Sequence, residues 1–125
     1  MWKQLATITV VVLFMDAIWL TATSASSRQV IAAIQRKPLQ IRWLAAAAVY
    51  ALMIGAVWVF AVEPSTNWYE AAGRGGALGA VMYGLYDLTN YATLDAYTLE
   101  FALTDIAWGT FLFTIAGAAG AAATG

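Results

Sequence analysis

Long apolar stretches alternate with short polar connections along this chain, and four of the stretches are long enough to cross a bilayer. They cover about residues 5–24, 41–62, 71–92 and 99–119. A spanning helix needs roughly 20 apolar residues. The stretches lack the strict alternation of a barrel strand, and only helices and closed barrels satisfy the backbone in lipid. The pattern therefore predicts an all-α polytopic membrane protein, a single domain over residues 1–125 forming an up-and-down four-helix transmembrane bundle.

The three predicted connections differ in length and charge. Two are short, and Pro64 closes the second apolar stretch because proline cannot donate to a helix. The connection over residues 25–40 is longer, and isoleucines recur at helical spacing within it. Two interpretations stay open, a solvated loop that sets topology or a short helix on the membrane surface. Four cations lie in it or just after it: Arg28, Arg36, Lys37 and Arg42.

This cation-rich connection also predicts an orientation. Short loops rich in lysine and arginine stay on the cytoplasmic side. Residues 25–40 are therefore expected in the cytoplasm, with both termini outside. Because Asp16 interrupts the first apolar run, we expect that segment to be retained as a span rather than cleaved as a signal peptide.

Composition agrees with a bilayer as the solvent. Hydrophobic residues make up 62% of the chain and charged residues 10%, against about 25% charged in soluble domains. The net charge of -1 offers no basic surface for nucleic acid, so none is expected as a partner. The chain has no cysteine and no histidine, which excludes disulfides and the usual zinc or copper sites. Acid–base chemistry would fall to carboxylates, tyrosines or lysine, and no cofactor is predicted.

Three carboxylates interrupt the predicted spans. Counted from the predicted helix ends, Asp16, Asp87 and Asp105 each lie roughly 9–12 Å inside the same membrane edge, so we expect them at one level. Intramembrane ionisable residues favour the bundle interior and are candidates for function. No lysine or arginine lies within the apolar core of a span to neutralise them. At least one aspartate should then keep its proton, or a cation should lie among them.

Polar and aromatic side chains surround these aspartates at helical spacing. Hydroxyl, amide and indole groups can donate hydrogen bonds to carboxylates. The alternative interpretation is structural, with the same bonds serving only to fasten helices together. The candidate ion- or ligand-binding set is Asp16, Trp19, Tyr83, Tyr86, Asp87, Asn90, Asp105 and Trp108. The identity of any metal stays open.

Glycines in the third stretch predict close helix packing, since small residues let backbones approach in lipid. Gly76 and Gly84 follow steps of three and four to Asp87, which assigns them to the same face. Gly75 and Gly79 form a GxxxG pair beside it.

An Asp-x-x-Trp motif occurs twice, at residues 16–19 and 105–108. The echo is either a coincidence or the trace of two related helix hairpins. The strings DAIWL at 16–20, YGLYDLTNYATL at 83–94 and DIAWGT at 105–110 resemble an uncharacterised bacterial membrane protein family, domain of unknown function 2177. The resemblance implies a four-helix protein of the bacterial inner membrane. It supplies no activity, so it assigns no catalytic residue, and residues 25–40 are less similar to the family.

Three functions fit these features. The first is binding or translocation of a proton, small cation or polar solute at the aspartates, in a homo-oligomer because one chain is small for a pathway. The second is an accessory or assembly subunit of a larger membrane complex. The third, an enzyme acting on a lipid, is less favoured because the spans hold neither a DDxxD-type cluster nor a basic phosphate clamp. The lipid bilayer is the expected surrounding in each case.

Overall fold

The computed structural model describes the backbone of residues 1–35 and 42–123, and the side chains of residues 1–23 and 42–123. Within these ranges all regular structure is helical, which confirms the all-α prediction. The elements are α1 (Trp2–Gln35), α2 (Trp43–Ala56) continued by a π-helical segment (Val57–Val62), α3 (Trp68–Thr93) and α4 (Leu99–Ala122).

Three helical segments in the described part of the chain are long and apolar enough to cross a membrane. They are Trp2–Thr23, Trp43–Val62 and Leu99–Ala122. The fourth helix, α3, has 26 residues, or roughly 39 Å at 1.5 Å per residue, which is also long enough. Its glycines and polar residues make it less apolar than the others. A fourth span therefore remains a prediction.

Helix α1 does not end where the apolar pattern ends. It runs 34 residues without a break, so the backbone of residues 25–35 is helical and continuous with α1, rather than a loop or a separate surface helix. The physical reason is local, because no glycine or proline lies between Ser24 and Gln35 to stop the helix. The side chain of Arg28, and Arg36 and Lys37 entirely, lie outside the described residues.

Helices α3 and α4 form the most extensive contact between described elements. A Cβ placed on Gly75 would collide with the Phe113 carbonyl, and one on Gly79 with the Gly109 carbonyl. From the α4 side, a Cβ on Gly117 would come 2.5 Å from the Ala71 oxygen. The two backbones therefore touch along a row with a period of four residues, the spacing of one helix ridge.

The other two predicted packing glycines lie differently. A Cβ on Gly76 would meet the Thr114 hydroxyl at 2.6 Å, beside the main row. At Gly84 no atom lies within 4 Å of the Cβ position, so this glycine is outside the contact. This corrects the face assigned from sequence. Because contact follows steps of four, Asp87 shares its face with Gly75 and Gly79 rather than with Gly84.

Helix α4 lies at the centre of the fold, since α1, α3 and the π segment all pack against it. On its α1 side, Ile8 packs against Gly120. The largest buried apolar side chains of this core are Ile8, Val12, Val57, Leu112 and Phe113. The first half of α2 faces outward instead, with Trp43 75% exposed and Leu44 87% exposed.

Candidate functional site

Asp87 is a fully buried carboxylate near the C-terminal end of α3. Its Oδ1 accepts a 2.5 Å hydrogen bond from the Tyr97 hydroxyl, which reaches back from the connection between α3 and α4. Burial, together with this bond to Asp87, raises the pKa of Tyr97, so the phenol stays a neutral donor. Asp87 Oδ2 is buried too, and no hydrogen-bond partner for it lies among the described residues. One oxygen of this carboxylate thus has a hydrogen-bond donor, and the other has none among the described residues.

Asp16 has a tyrosine partner as well. It is 9% exposed on α1, and its Oδ2 accepts a hydrogen bond from the Tyr50 hydroxyl of α2. Sequence reasoning missed both tyrosine partners. Tyr50 had a visible signal, because it is the one phenol in an otherwise apolar stretch. Tyr97 lies in a short connection, and only its 3% exposure in the fold marks it as an internal residue.

Asp105 completes the carboxylate group from α4. It is half-buried and close enough to both Asp87 and Asp16 to interact with them electrostatically. Where side chains are described, the ion pair found is Arg74 with Glu70 at 3.4 Å, near the other end of α3. The three aspartates thus lie near one another without a described cation beside them.

The aspartates do not share one level. Contacts along α3 and α4 step together in opposite directions, with Gly75 on Phe113 and Gly79 on Gly109. Continuing these steps places Asp87 opposite residue 101, four residues before Asp105. Four residues of helix correspond to roughly 6 Å along the axis.

Asp16 lies further along in the same direction. Helices α1 and α4 are antiparallel, because Trp19 meets Trp108 while Ile8 meets Gly120. Asp16 is therefore opposite residue 111, six residues beyond Asp105, or roughly 9 Å. The prediction of a single level is wrong because it counted Asp16 from an end at Ser24, and α1 has no end there. The three carboxylates are thus offset along the bundle. Asp87 is nearest the α3–α4 connection, Asp105 follows, and Asp16 lies toward the middle.

Trp19 and Trp108 form a parallel stack at the level between Asp16 and Asp105. Their ring centroids are 4.6 Å apart and their planes differ by 5°. The two Asp-x-x-Trp motifs therefore face one another, and because their helices are antiparallel the two aspartates project to opposite sides of the stack. Trp108 Nε1 is buried with no hydrogen-bond partner among the described residues. It does not bond a carboxylate, contrary to the role considered for it.

The remaining predicted residues divide between the centre and the edge. The Tyr83 ring covers Gly109, where a Cβ would overlap its Cγ and Cδ1 atoms. Its hydroxyl lies within electrostatic range of all three aspartates. Asn90 is close enough to interact with the hydroxyls of Tyr86 and Tyr97. Tyr86 is 59% exposed, which places it at the periphery.

The chemistry available here is that of carboxylates and phenols. In the described part of the chain no three acidic, histidine or cysteine side chains are arranged to hold a metal ion. Carboxyl groups that lie near each other in a poorly solvated region are suited to holding and exchanging protons, since protonation removes the cost of burying their charge.

Comparison with known proteins gives one family. Residues 1–122 match the family described as “Predicted membrane protein (DUF2177)”. The match agrees with the resemblance seen in the strings around Asp16, Asp87 and Asp105. Neither the curated proteins nor the solved structures contain a match to this chain.

Proposed function

We propose that this chain, which belongs to the family of predicted membrane proteins called domain of unknown function 2177, binds and exchanges protons inside the membrane through its aspartates. The protein has four spans in this proposal and lies in the bacterial inner membrane. Asp87 and Asp105 hold a proton between them. Asp16, the next aspartate toward the middle of the bundle, is a further acceptor.

Close packing of α3 supports the fourth span. Its backbone touches that of α4 from Ala71 to Gly79, and α4 is apolar enough to cross a bilayer. In this proposal α3, packed in this way, crosses the membrane together with α4. The outer face of α3 carries Val81, Leu85 and Leu88, each about half exposed or more, which suits contact with lipid.

One observation carries the proton assignment, namely that Asp87 is fully buried and has a carboxylate oxygen without a hydrogen-bond partner among the described residues. Burying an ionised carboxylate without compensation is very costly, and such a group takes up a proton instead. Asp105 lies beside it, and no described cation neutralises the two. A shared proton satisfies the free oxygen and removes the repulsion between the carboxylates.

The cations of residues 25–42 favour the cytoplasmic side for the junction between α1 and α2. The α3–α4 connection, with Tyr97, then lies on the same side in a four-span arrangement. Proton exchange would begin at Asp87, the aspartate nearest that connection.

Infrared spectroscopy of the protein in lipid vesicles tests the proposal. The wild type should show a protonated carboxyl band at pH 7, and Asp87→Asn and Asp105→Asn should each remove or strongly weaken it. Asp95→Asn is the matched control, because Asp95 is exposed in the α3–α4 connection, and it should leave the band unchanged.

Other outcomes would give the aspartates a different role. A band that disappears on adding Na⁺ or K⁺ would make the site a cation site. Wild-type spectra without any protonated carboxyl would contradict proton binding. In that case co-purification with a larger membrane protein would favour the accessory role, and turnover of a lipid substrate would favour an enzyme.

A further inference from the structure

Tyr83 is fixed in place by backbone geometry rather than by its hydroxyl. Its ring lies against the bare Cα of Gly109, in space that any side chain at that position would occupy. Phe113 meets the ring edge-on, with centroids 6.0 Å apart and planes at 84°. The ring is therefore confined between two residues of α4 that lie one turn apart.

The Tyr83 hydroxyl is free by comparison with the other phenols of the site. Tyr50 and Tyr97 each donate to an aspartate, whereas Tyr83 makes no hydrogen bond to another described residue. Its oxygen still lies within electrostatic range of Asp16 and Asp105, as well as Asp87. A phenol can accept one hydrogen bond while it donates another. This hydroxyl can therefore still both donate and accept a hydrogen bond.

The Trp19–Trp108 stack lies between two of the aspartates. Its ring centroids are 4.6 Å apart, and because α1 and α4 are antiparallel, Asp16 and Asp105 lie on opposite sides of it. Trp108 Nε1 is buried and has no hydrogen-bond partner among the described residues. Tyr83 comes from a third helix, α3, and its ring lies against Gly109, the residue after Trp108.

We propose that Tyr83 relays protons between Asp105 and Asp16, and that Gly109 is the residue that positions it. This inference rests on the proposed proton function. In one transfer the Asp105 O–H bond breaks and its proton binds the Tyr83 oxygen. The original hydroxyl proton of Tyr83 passes to the Asp16 carboxylate, so the tyrosine ends neutral. Since the hydroxyl makes no direct bond to either aspartate, the transfer uses a bridging water or a small movement of the ring.

The test uses Tyr83→Phe in lipid vesicles, with the carboxyl bands followed in time after a pH jump and the Asp16 band assigned by Asp16→Asn. The Tyr83 hydroxyl makes no hydrogen bond to another described residue, so its removal should leave the melting temperature and the Asp87–Asp105 band unchanged. The rate at which Asp16 takes up its proton should fall roughly a hundredfold, as expected on loss of a positioned proton-transfer group. Gly109→Ala should slow the same step by displacing the ring. Tyr91→Phe, at a residue 44% exposed on the same helix, should have no effect.

The outcomes separate the relay from the proton site. A wild-type Asp16 rate in Tyr83→Phe, with both bands present, would overturn the relay and leave proton binding intact. Slowing in Gly109→Ala but not in Tyr83→Phe would assign the effect to packing and also overturn it. Absence of any protonated carboxyl in the wild type would instead contradict the proposed function.

Discussion

The two halves of the α3–α4 hairpin use one helix face in opposite ways. From Ala71 to Gly79 the face carries only small residues at steps of four, and the backbones touch. The next two steps bring Tyr83 and Asp87, which place a ring and a carboxylate where the first half has none. Small residues bring the two backbones into contact in the first half, whereas a ring and a buried carboxylate occupy the same face in the second. Tight packing at one end thus positions the polar chemistry at the other.

Among the substitutions that test this difference between the two halves, Gly79→Leu should have the largest effect on stability. Its Cβ would collide with the backbone of Gly109, which cannot move aside as a flexible side chain can. Overpacking typically costs about 1–3 kcal/mol and occasionally more, so we expect a large fall in melting temperature or loss of folded protein in detergent. The matched variant Gly84→Leu, on the same helix with open space around it, should stay near the wild type. Equal melting temperatures for the two variants would contradict the assigned contact face.

At the polar end, Tyr97→Phe should have the next largest effect. It removes the donor to Asp87 Oδ1, and this oxygen of a buried carboxylate then has no partner among the described residues. Leaving a buried polar group unsatisfied costs about 1–3 kcal/mol. The melting temperature should fall, and the Asp87–Asp105 carboxyl band should change its frequency. Tyr91→Phe removes a hydroxyl from an exposed tyrosine and serves as the control. Unchanged stability and spectrum in Tyr97→Phe would show that this bond does not hold Asp87.

The difference between the two halves of the hairpin also explains which structural features could be predicted from the sequence. Apolar length and the interrupting aspartates were enough to predict the helices and to select Asp16, Asp87 and Asp105. The glycine face was only half predictable, because Gly75 and Gly79 fit one helical stripe and Gly76 and Gly84 fit another. Which stripe meets α4 depends on the crossing of the helices, and this is a tertiary property.

The levels of the aspartates and their hydrogen-bond partners could be found only from the fold, for a similar reason. The level of Asp16 depends on where α1 meets α4, and the polar residues after Thr23 suggested an end that the continuous helix does not have. Tyr50 and Tyr97 reach aspartates 34 and 10 residues away. Spacing along one helix could not reveal such pairs, since each tyrosine belongs to a different element from its aspartate.

The smallest expected effect lies at the start of α3, beyond the packed end of the hairpin. Asn67 caps the helix by accepting from the Glu70 amide at 2.8 Å, and the Glu70 carboxylate accepts in return from the backbone N–H of Thr66 at 3.3 Å. That backbone bond, with smaller contributions from the Thr66 hydroxyl and Arg74, lowers the pKa of Glu70.

A pKa lower in the folded than in the unfolded state stabilises the fold above the unfolded-state pKa, and this contribution is lost as the pH falls through the folded-state value. Glu70→Gln should therefore lower the melting temperature slightly at pH 7, and the difference from the wild type should shrink as the pH falls through the folded-state pKa of Glu70. Glu63→Gln, at an exposed carboxylate just before Pro64, is the control. A difference between Glu70→Gln and the wild type that stays the same as the pH is lowered would show that Glu70 acts through its shape and not its charge.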